Sequence, residues 1–338
     1  MAKSRRRLST SSSRRRLPAG AAAPRTVVLR APTRAADLVR AGQLVAFPTE
    51  TVYGLGALAQ DAAAIGRLFR AKGRPSDNPL IVHIADREQL PTVVRRVPAA
   101  AAALMAAFWP GPLTLVLPRA RAIPDAVTAG LDSVGVRLPN HPVALAFLRA
   151  VAAPVAAPSA NRSGRPSPTR WQDVLADLDG RIAGVLRGAP SQVGLESTVV
   201  DCRGRTPVVL RPGAITLEQL RTVVAGVRPY APRAGGAARS PGLRHRHYAP
   251  NAQVVLVDDL RRVSADATAG GIGRRAPVAP EQFGRIRTCR SVAAYARAVF
   301  AFFRACDAAG LRTVYCERVP DAGLGAALMD RLRRAAAR

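Results

Sequence analysis

Apolar positions along this chain recur with two alternating periods. Strand-like runs lie at residues 27–29, 44–47, 80–84, 113–117, 134–138, 155–157, 182–186, 197–201 and 207–210. Helix-like runs lie between them at 34–41, 61–71, 99–108, 143–151 and 171–178. Such alternation predicts an α/β domain over 26–212 built on a largely covered, mixed sheet. From 213 to 250 the periodicity stops and Gly, Pro and Arg rise, which predicts a linker. Strand-like runs at 253–257 and 313–316, with helix-like runs at 292–305 and 324–336, then predict a smaller α/β unit over 251–338. No repeat of solenoid length is present.

Residues 1–25 have no periodicity and read as a disordered basic tail. Residues 1–30 hold nine Lys or Arg and no acid. That start shares its Arg- and Ser-rich composition with organelle transit peptides, but it lacks the apolar core of a secretory signal. Over the whole chain 51 Lys and Arg face 22 Asp and Glu, a net charge of +29. Cationic surfaces gain affinity for nucleic acid by releasing counterions, so the charge leaves weak RNA binding open as a partner class. An Ala- and Arg-saturated composition produces the same charge without any partner. Aromatics make up only 4% of residues, so the core must be built from Ala, Val, Leu and Ile. Four cysteines show neither C-x-x-C nor zinc spacing, which predicts reduced thiols and a cytoplasmic protein. The longest apolar run, 97–110, is too short to span a bilayer, so no membrane association is expected.

Five segments could carry chemistry. P-T-E-T-V-Y-G-L-G, 48–56, follows a strand, where ligands of open α/β sheets bind. It offers hydroxyls at Thr49, Thr51 and Tyr53 and a carboxylate at Glu50; the alternative is a side-chain-bonded turn. K-G-R-P-S-D-N-P-L, 72–80, holds Lys72 and Arg74 on a turn stiffened by Pro75 and Pro79. It suits a polyanion, because both cations offer charge and donors to phosphate oxygens. His83 in the next strand fits either a core histidine or a site residue. P-S-A-N-R-S-G-R-P-S-P-T, 158–169, gathers hydroxyls, an amide and backbone N–H groups suited to phosphate or ribose oxygens, or forms an ordinary loop. Arg137 and Arg211 end apolar strands, where a guanidinium needs either a bound anion or an internal carboxylate such as Glu196 or Asp201. S-P-G-L-R-H-R-H-Y-A-P, 240–250, clusters cations with an aromatic ring, suited to phosphate and a base face. There is no G-x-x-x-x-G-K-[ST], G-x-S-x-G or H-E-x-x-H.

In this order the segments, together with V-R-L-P, S-T-V-V-D and R-P-G, resemble the YrdC/TsaC family of L-threonylcarbamoyladenylate synthases in its longer two-domain form. The resemblance runs from about residue 26 to the C-terminus. It implies a YrdC-like twisted mixed sheet with helices around a concave basic pocket, plus a smaller Rossmann-like domain. It implies a nucleotidyltransferase that makes threonylcarbamoyl-AMP and pyrophosphate from L-threonine, bicarbonate and ATP, for the t6A37 modification of ANN-decoding tRNAs. Mg²⁺ would be carried by the nucleotide, with no resident metal, and the product handed to a tRNA threonylcarbamoyltransferase. Thr51, His83, Arg137, Ala157 and Ser197 match positions that hold L-threonine. Arg74, Asn78, Ser133, Ser159, Ser167, Arg211 and Tyr248 match positions that contact ATP. Lys72, Arg74, Ser159 and Asn161 match the family's signature set, with the task of neutralising the triphosphate. Tyr248 would arrive from the linker, making 240–250 a lid. Two departures, Asp330 in place of an amide and the Arg-rich tail, are expected to lie away from the site. A double-stranded-RNA-binding module without activity and a hydrogenase-maturation carbamoyl-transfer domain are the competing readings.

Overall fold

The computed structural model describes residues 25–230 and 248–337. The basic tail and the linker stretch with Arg244, His245, Arg246 and His247 lie outside the described residues. In chain order the first sheet comprises β1 (Val27–Leu29), β2 (Val45–Phe47), β3 (Gly54–Leu58), β4 (Ile81–His83), β5 (Leu113–Pro118), β6 (Ser133–Arg137), β7 (Val155–Ala156), β8 (Gly184–Leu186), β9 (Thr198–Asp201), β10 (Val208–Arg211) and β11 (Arg228–Pro229). In space they run β1-β8-β2-β3-β7-β4-β6-β5-β9-β10-β11. β4 pairs with β6, and β5 with β9, in parallel; β2–β3, β3–β7, β4–β7 and β5–β6 are antiparallel. The sheet is therefore mixed, as the alternating pattern predicts.

β3 falls where the sequence reads as a loop, because G-L-G-A-L lacks the β-branched residues that mark strands. Its glycines instead permit close packing. A Cβ on Gly56 would stand 3.0 Å from Val155 Cγ1 and 3.2 Å from the Phe47 ring. The helix Ala62–Lys72 starts where the Asp61 side chain accepts from the Ala64 N–H, and it stops at Gly73, whose φ is +59°. That stop sets the start of the K-G-R-P-S-D-N-P-L turn. The helix Leu217–Val223 occupies part of the stretch expected to be linker, held by a Thr216–Gln219 capping box.

The second sheet is parallel: β12 (Gln253–Val257), β13 (Ala269–Gly273), β14 (Arg285–Thr288) and β15 (Thr313–Glu317), in the order β12-β15-β13-β14. β13 and β14 escape the sequence pattern, since A-G-G-I-G and R-I-R-T carry too few apolar residues to register as strands. The two domains share buried surface. Val52 and Leu195 of the first pack in one apolar cluster with Phe300, Leu328 and Leu332 of the second. Gly194, at φ +80°, lies so close to the helix Val292–Ala308 that a Cβ there would sit 2.4 Å from Arg297 Cα. Among the described residues no helix is long and apolar enough to cross a membrane.

Candidate active site

The β2–β3 connection, 48–53, and the ends of β4, β6 and β10 meet at one cleft of about 620 Å³, its open mouth included. Register builds one end of it. His83 and Arg137 are parallel partners at the C-terminal ends of β4 and β6, so both project on the same side. Ala157 follows β7 and donates its N–H to the Ile81 carbonyl at 2.8 Å. Ser197 immediately precedes β9, and its hydroxyl meets that of Thr114 at 2.8 Å. Thr51, His83, Arg137, Ala157 and Ser197 all line the cleft.

Proton accounting orients this end. Thr49 Oγ1 donates to the Val52 carbonyl at 2.6 Å, so the Thr51 hydroxyl gives its proton to Thr49, 2.8 Å away. Thr51 Oγ1 is then free to accept from Arg137 Nη1 at 2.8 Å. Arg137 Nε donates to the Gly111 carbonyl at 3.3 Å, and Nη2 lies 2.7 Å from Glu50 Oε1 in a buried ion pair. Of the two alternatives for Arg137, an internal carboxylate is present, but it is Glu50. Asp201 pairs with Arg203, and Glu196 pairs with Arg331. Two buried polar atoms here, Glu50 Oε2 and His83 Nδ1, have no hydrogen-bond partner, and Arg137 Nη2 has its Glu50 ion pair without hydrogen-bond geometry. Native proteins seldom leave such groups unsatisfied, and a polar ligand is one way to complete them.

Burial, reinforced by the Arg137 guanidinium, holds His83 down to about 3, so it is neutral at pH 7. Unfolded, it would titrate near the ordinary value of about 6.5. Between those values the unfolded chain takes up a proton that the folded chain refuses. Stability from this group is complete above about 6.5 and is lost as pH falls toward 3. By pH 4.5 the loss should be about 3 kcal/mol. Melting curves across pH 4–7 should therefore fall less steeply for His83→Gln than for the parent; parallel curves would contradict it.

At the other end the cleft is lined by Arg74, Ser159, Arg211 and Tyr248. Arg74 Nε and Nη2 donate to the Asn78 carbonyl, and Nη2 also to that of Pro79 at 3.1 Å, fixing the turn that carries them. Burial lowers Arg74 to about 10, with Arg211 acting in the same direction and Tyr248 opposing, so it stays cationic. Arg211 Nε and Nη2 donate to the Ser197 carbonyl, and Nη2 reaches the Ser197 hydroxyl at 3.2 Å. Tyr248, at φ +68°, stacks on Phe300 with ring centroids 5.5 Å apart. Ala249 N–H donates to the Gly164 carbonyl at 3.0 Å, returning the linker to the first domain.

Five expected residues do not line the cleft: Lys72, Asn78, Ser133, Asn161 and Ser167. Lys72 is buried behind the 158–169 loop, where its ammonium donates to the carbonyls of Ser159 and Asn161. Burial, aided by Arg74, pushes that ammonium well below the usual lysine range. Its contacts brace the loop rather than reach the cleft. Asn161 Nδ2 donates to the carbonyls of Arg162 and Arg165, while its Oδ1 accepts from the Ser159 hydroxyl at 2.5 Å. Ser133 opens β6 on the same strand face as Arg137. Ser167 donates to Glu196. Sequence reasoning also gave no role to Arg331, whose Nε pairs with Glu196 Oε2 at 2.8 Å. Its only sequence signal is a lone cation in an otherwise apolar stripe. Asp330 does not line the cleft, as expected, but it pairs with Arg331 at 2.7 Å. Burial raises the Glu196 carboxyl, but Arg331 and Arg211 outweigh that and hold it below the usual range.

Residues 37–213 match the family model described as "Telomere recombination", and residues 215–337 match the "Threonylcarbamoyl-AMP synthase, C-terminal domain" model. The chain is 44% identical over 317 residues to a threonylcarbamoyl-AMP synthase of Pyrococcus abyssi, covering 89% of this chain and 92% of that one. It is 43% identical over 321 residues to the Bacillus subtilis protein of the same name, covering 90% and 92%. The crystal structure of P. abyssi Sua5 complexed with L-threonine superposes with a TM-score of 0.84 at 40% identity, over 92% of this chain and 98% of that one.

Proposed function

The chain belongs to the threonylcarbamoyl-AMP synthase family and makes threonylcarbamoyl-AMP, and we propose that it does so by nucleotidyl transfer across one two-ended cleft. L-threonine occupies the end built by Thr51, His83, Arg137, Ala157 and Ser197. The observation that carries this is the pair of buried, unpartnered atoms Glu50 Oε2 and His83 Nδ1 beside the Arg137 guanidinium. Arg137 takes the amino-acid carboxylate, a planar anion that matches its fork. Neutral His83 can accept a hydrogen bond at Nδ1 from a donor on the substrate. ATP occupies the other end, where the cations of Arg74 and Arg211 meet its phosphates and the Tyr248 ring lies alongside.

The amine of threonine bonds to the carbon of bicarbonate, and water leaves, giving a carbamate. One carbamate oxygen bonds to the α-phosphorus of ATP as the bond from that phosphorus to the bridging oxygen breaks, releasing pyrophosphate. No protein nucleophile is needed, so catalysis rests on positioning and on cations that meet the charge developing on the leaving group. Lys72 and Asn161 act through the loop they brace, keeping Ser159 in place. Among the described residues no group of three His, Cys, Asp or Glu could hold a metal. In this reading Mg²⁺ would enter on the triphosphate and offset its charge. The product passes to an enzyme that transfers the threonylcarbamoyl group to adenosine 37 of tRNA.

Incubation with ATP, threonine, bicarbonate and Mg²⁺ should release pyrophosphate only when threonine is present and yield a product with the mass of threonylcarbamoyl-AMP. Threonine-independent turnover, or RNA retention without turnover, would count against the reading.

A further inference from the structure

Arg331 lies on the helix Leu324–Ala336 of the second domain, yet its guanidinium is 1% exposed and reaches three parts of the cleft wall. Nε pairs with Glu196, the residue before Ser197. Nη1 donates to the carbonyl of Pro212, the residue after Arg211, at 3.1 Å. The carbon at its centre lies 5.4 Å from the centroid of the Tyr248 ring. One planar cation thus touches the carboxylate, the backbone and the ring that frame the nucleotide end. We propose that Arg331 is a positioning residue for the nucleotide end of the cleft, and that supplying it is a function of the second domain. The proposal rests on the reading of that end as the ATP site.

Domain docking alone does not require this arginine. Arg304 pairs with Asp177 at 2.8 Å, Arg297 donates to the Gln192 carbonyl at 2.7 Å, and the apolar cluster around Phe300 joins the two domains. A buried ion pair is weak evidence for stability, because well-packed apolar residues of similar volume often do as well. What apolar residues cannot supply is a fixed angle between Glu196, the Arg211–Pro212 backbone and Tyr248. Arg211, next to the Pro212 carbonyl that Arg331 holds, and Tyr248, under its guanidinium, both line the nucleotide end, so a shift at Arg331 reaches residues that face the nucleotide. Without Arg331, Glu196 would keep Ser167 as its one side-chain hydrogen-bond partner among the described residues.

Steady-state kinetics on the full chain test this. Arg331→Lys keeps a cation beside Glu196 but lacks the fork that spans all three contacts. It should raise the KM for ATP by about 10-fold while the KM for threonine changes by less than about twofold. The double variant Arg331→Gln/Glu196→Gln replaces the ion pair by two neutral amides and should show the same ATP-selective rise. Arg297→Ala, at the same interface but away from the cleft, should leave both constants unchanged. An unchanged ATP KM in either folded variant, or an equal rise in Arg297→Ala, would overturn the proposal. So would loss of folding in both Arg331 variants, which would make it a core residue of the interface. A parent protein that releases no pyrophosphate in response to threonine would instead overturn the reading of the site.

Discussion

Arg137→Ala should raise the threonine KM by about 100-fold or more while moving the ATP KM by less than about threefold. The asymmetry follows from placement. The guanidinium sits at the end of β6 among Thr51, His83 and Ser197, and Arg74 and Arg211 serve the opposite end of the cleft. Its position is held by the Gly111 carbonyl, the Thr51 hydroxyl and Glu50. Those same contacts complicate the experiment. Removing Arg137 alone leaves the Glu50 carboxylate buried without a countercharge, a loss of about 3–5 kcal/mol that could unfold the chain. Arg137→Ala/Glu50→Gln removes that charge as well and should retain the fold. If the double variant melts near the parent temperature and loses threonine and ATP affinity equally, Arg137 does not hold the amino-acid carboxylate.

Much of this site was legible in the sequence because it is built from short ordered segments. Thr51, His83, Arg137 and Ser197 lie within short motifs and Ala157 directly before one, and the structure brings all five to one cleft. Their strands were also legible, since L-I-V-H-I and V-G-V-R-L carry apolar patterns strong enough to mark β4 and β6. Function within a segment was harder to read. Lys72 and Arg74 share one turn and one charge. Only the folded chain shows that the lysine points back under a loop while the arginine faces the cleft. The partner of Arg137 was misjudged because the choice among Glu50, Glu196 and Asp201 depends on which loop crosses the sheet end. Strand β3 was missed because its information lies in the close approach of Phe47 and Val155 to its glycines. Arg331 was missed because its contacts with the cleft wall come from residues at least 83 positions away in the chain (Tyr248, Pro212 and Glu196).

Ending the chain after Gly213 should lower kcat/KM for synthesis by about 100-fold or more, with a larger share of the pyrophosphate released without recoverable adenylate. The truncated protein keeps the threonine end, Arg74 and Arg211. It loses Tyr248, which lines the cleft and stacks on Phe300, and it loses Arg331, the ion-pair partner of Glu196. Val52 and Leu195 would also lose the second-domain surface that buries them, which opens the cleft wall to water. Water competes with the carbamate for the α-phosphorus and hydrolyses the adenylate once formed, so lost closure costs product as well as rate. Tyr248→Ala in the full chain separates the two contributions, since it removes the ring and leaves the domain interface and Arg331 in place. If residues 240–250 act as a lid through that ring, Tyr248→Ala should reproduce the uncoupled pyrophosphate release with a smaller loss of rate. Undiminished synthesis by the truncated chain would end the lid account. A coupled but slow Tyr248→Ala enzyme would assign the ring to nucleotide placement alone.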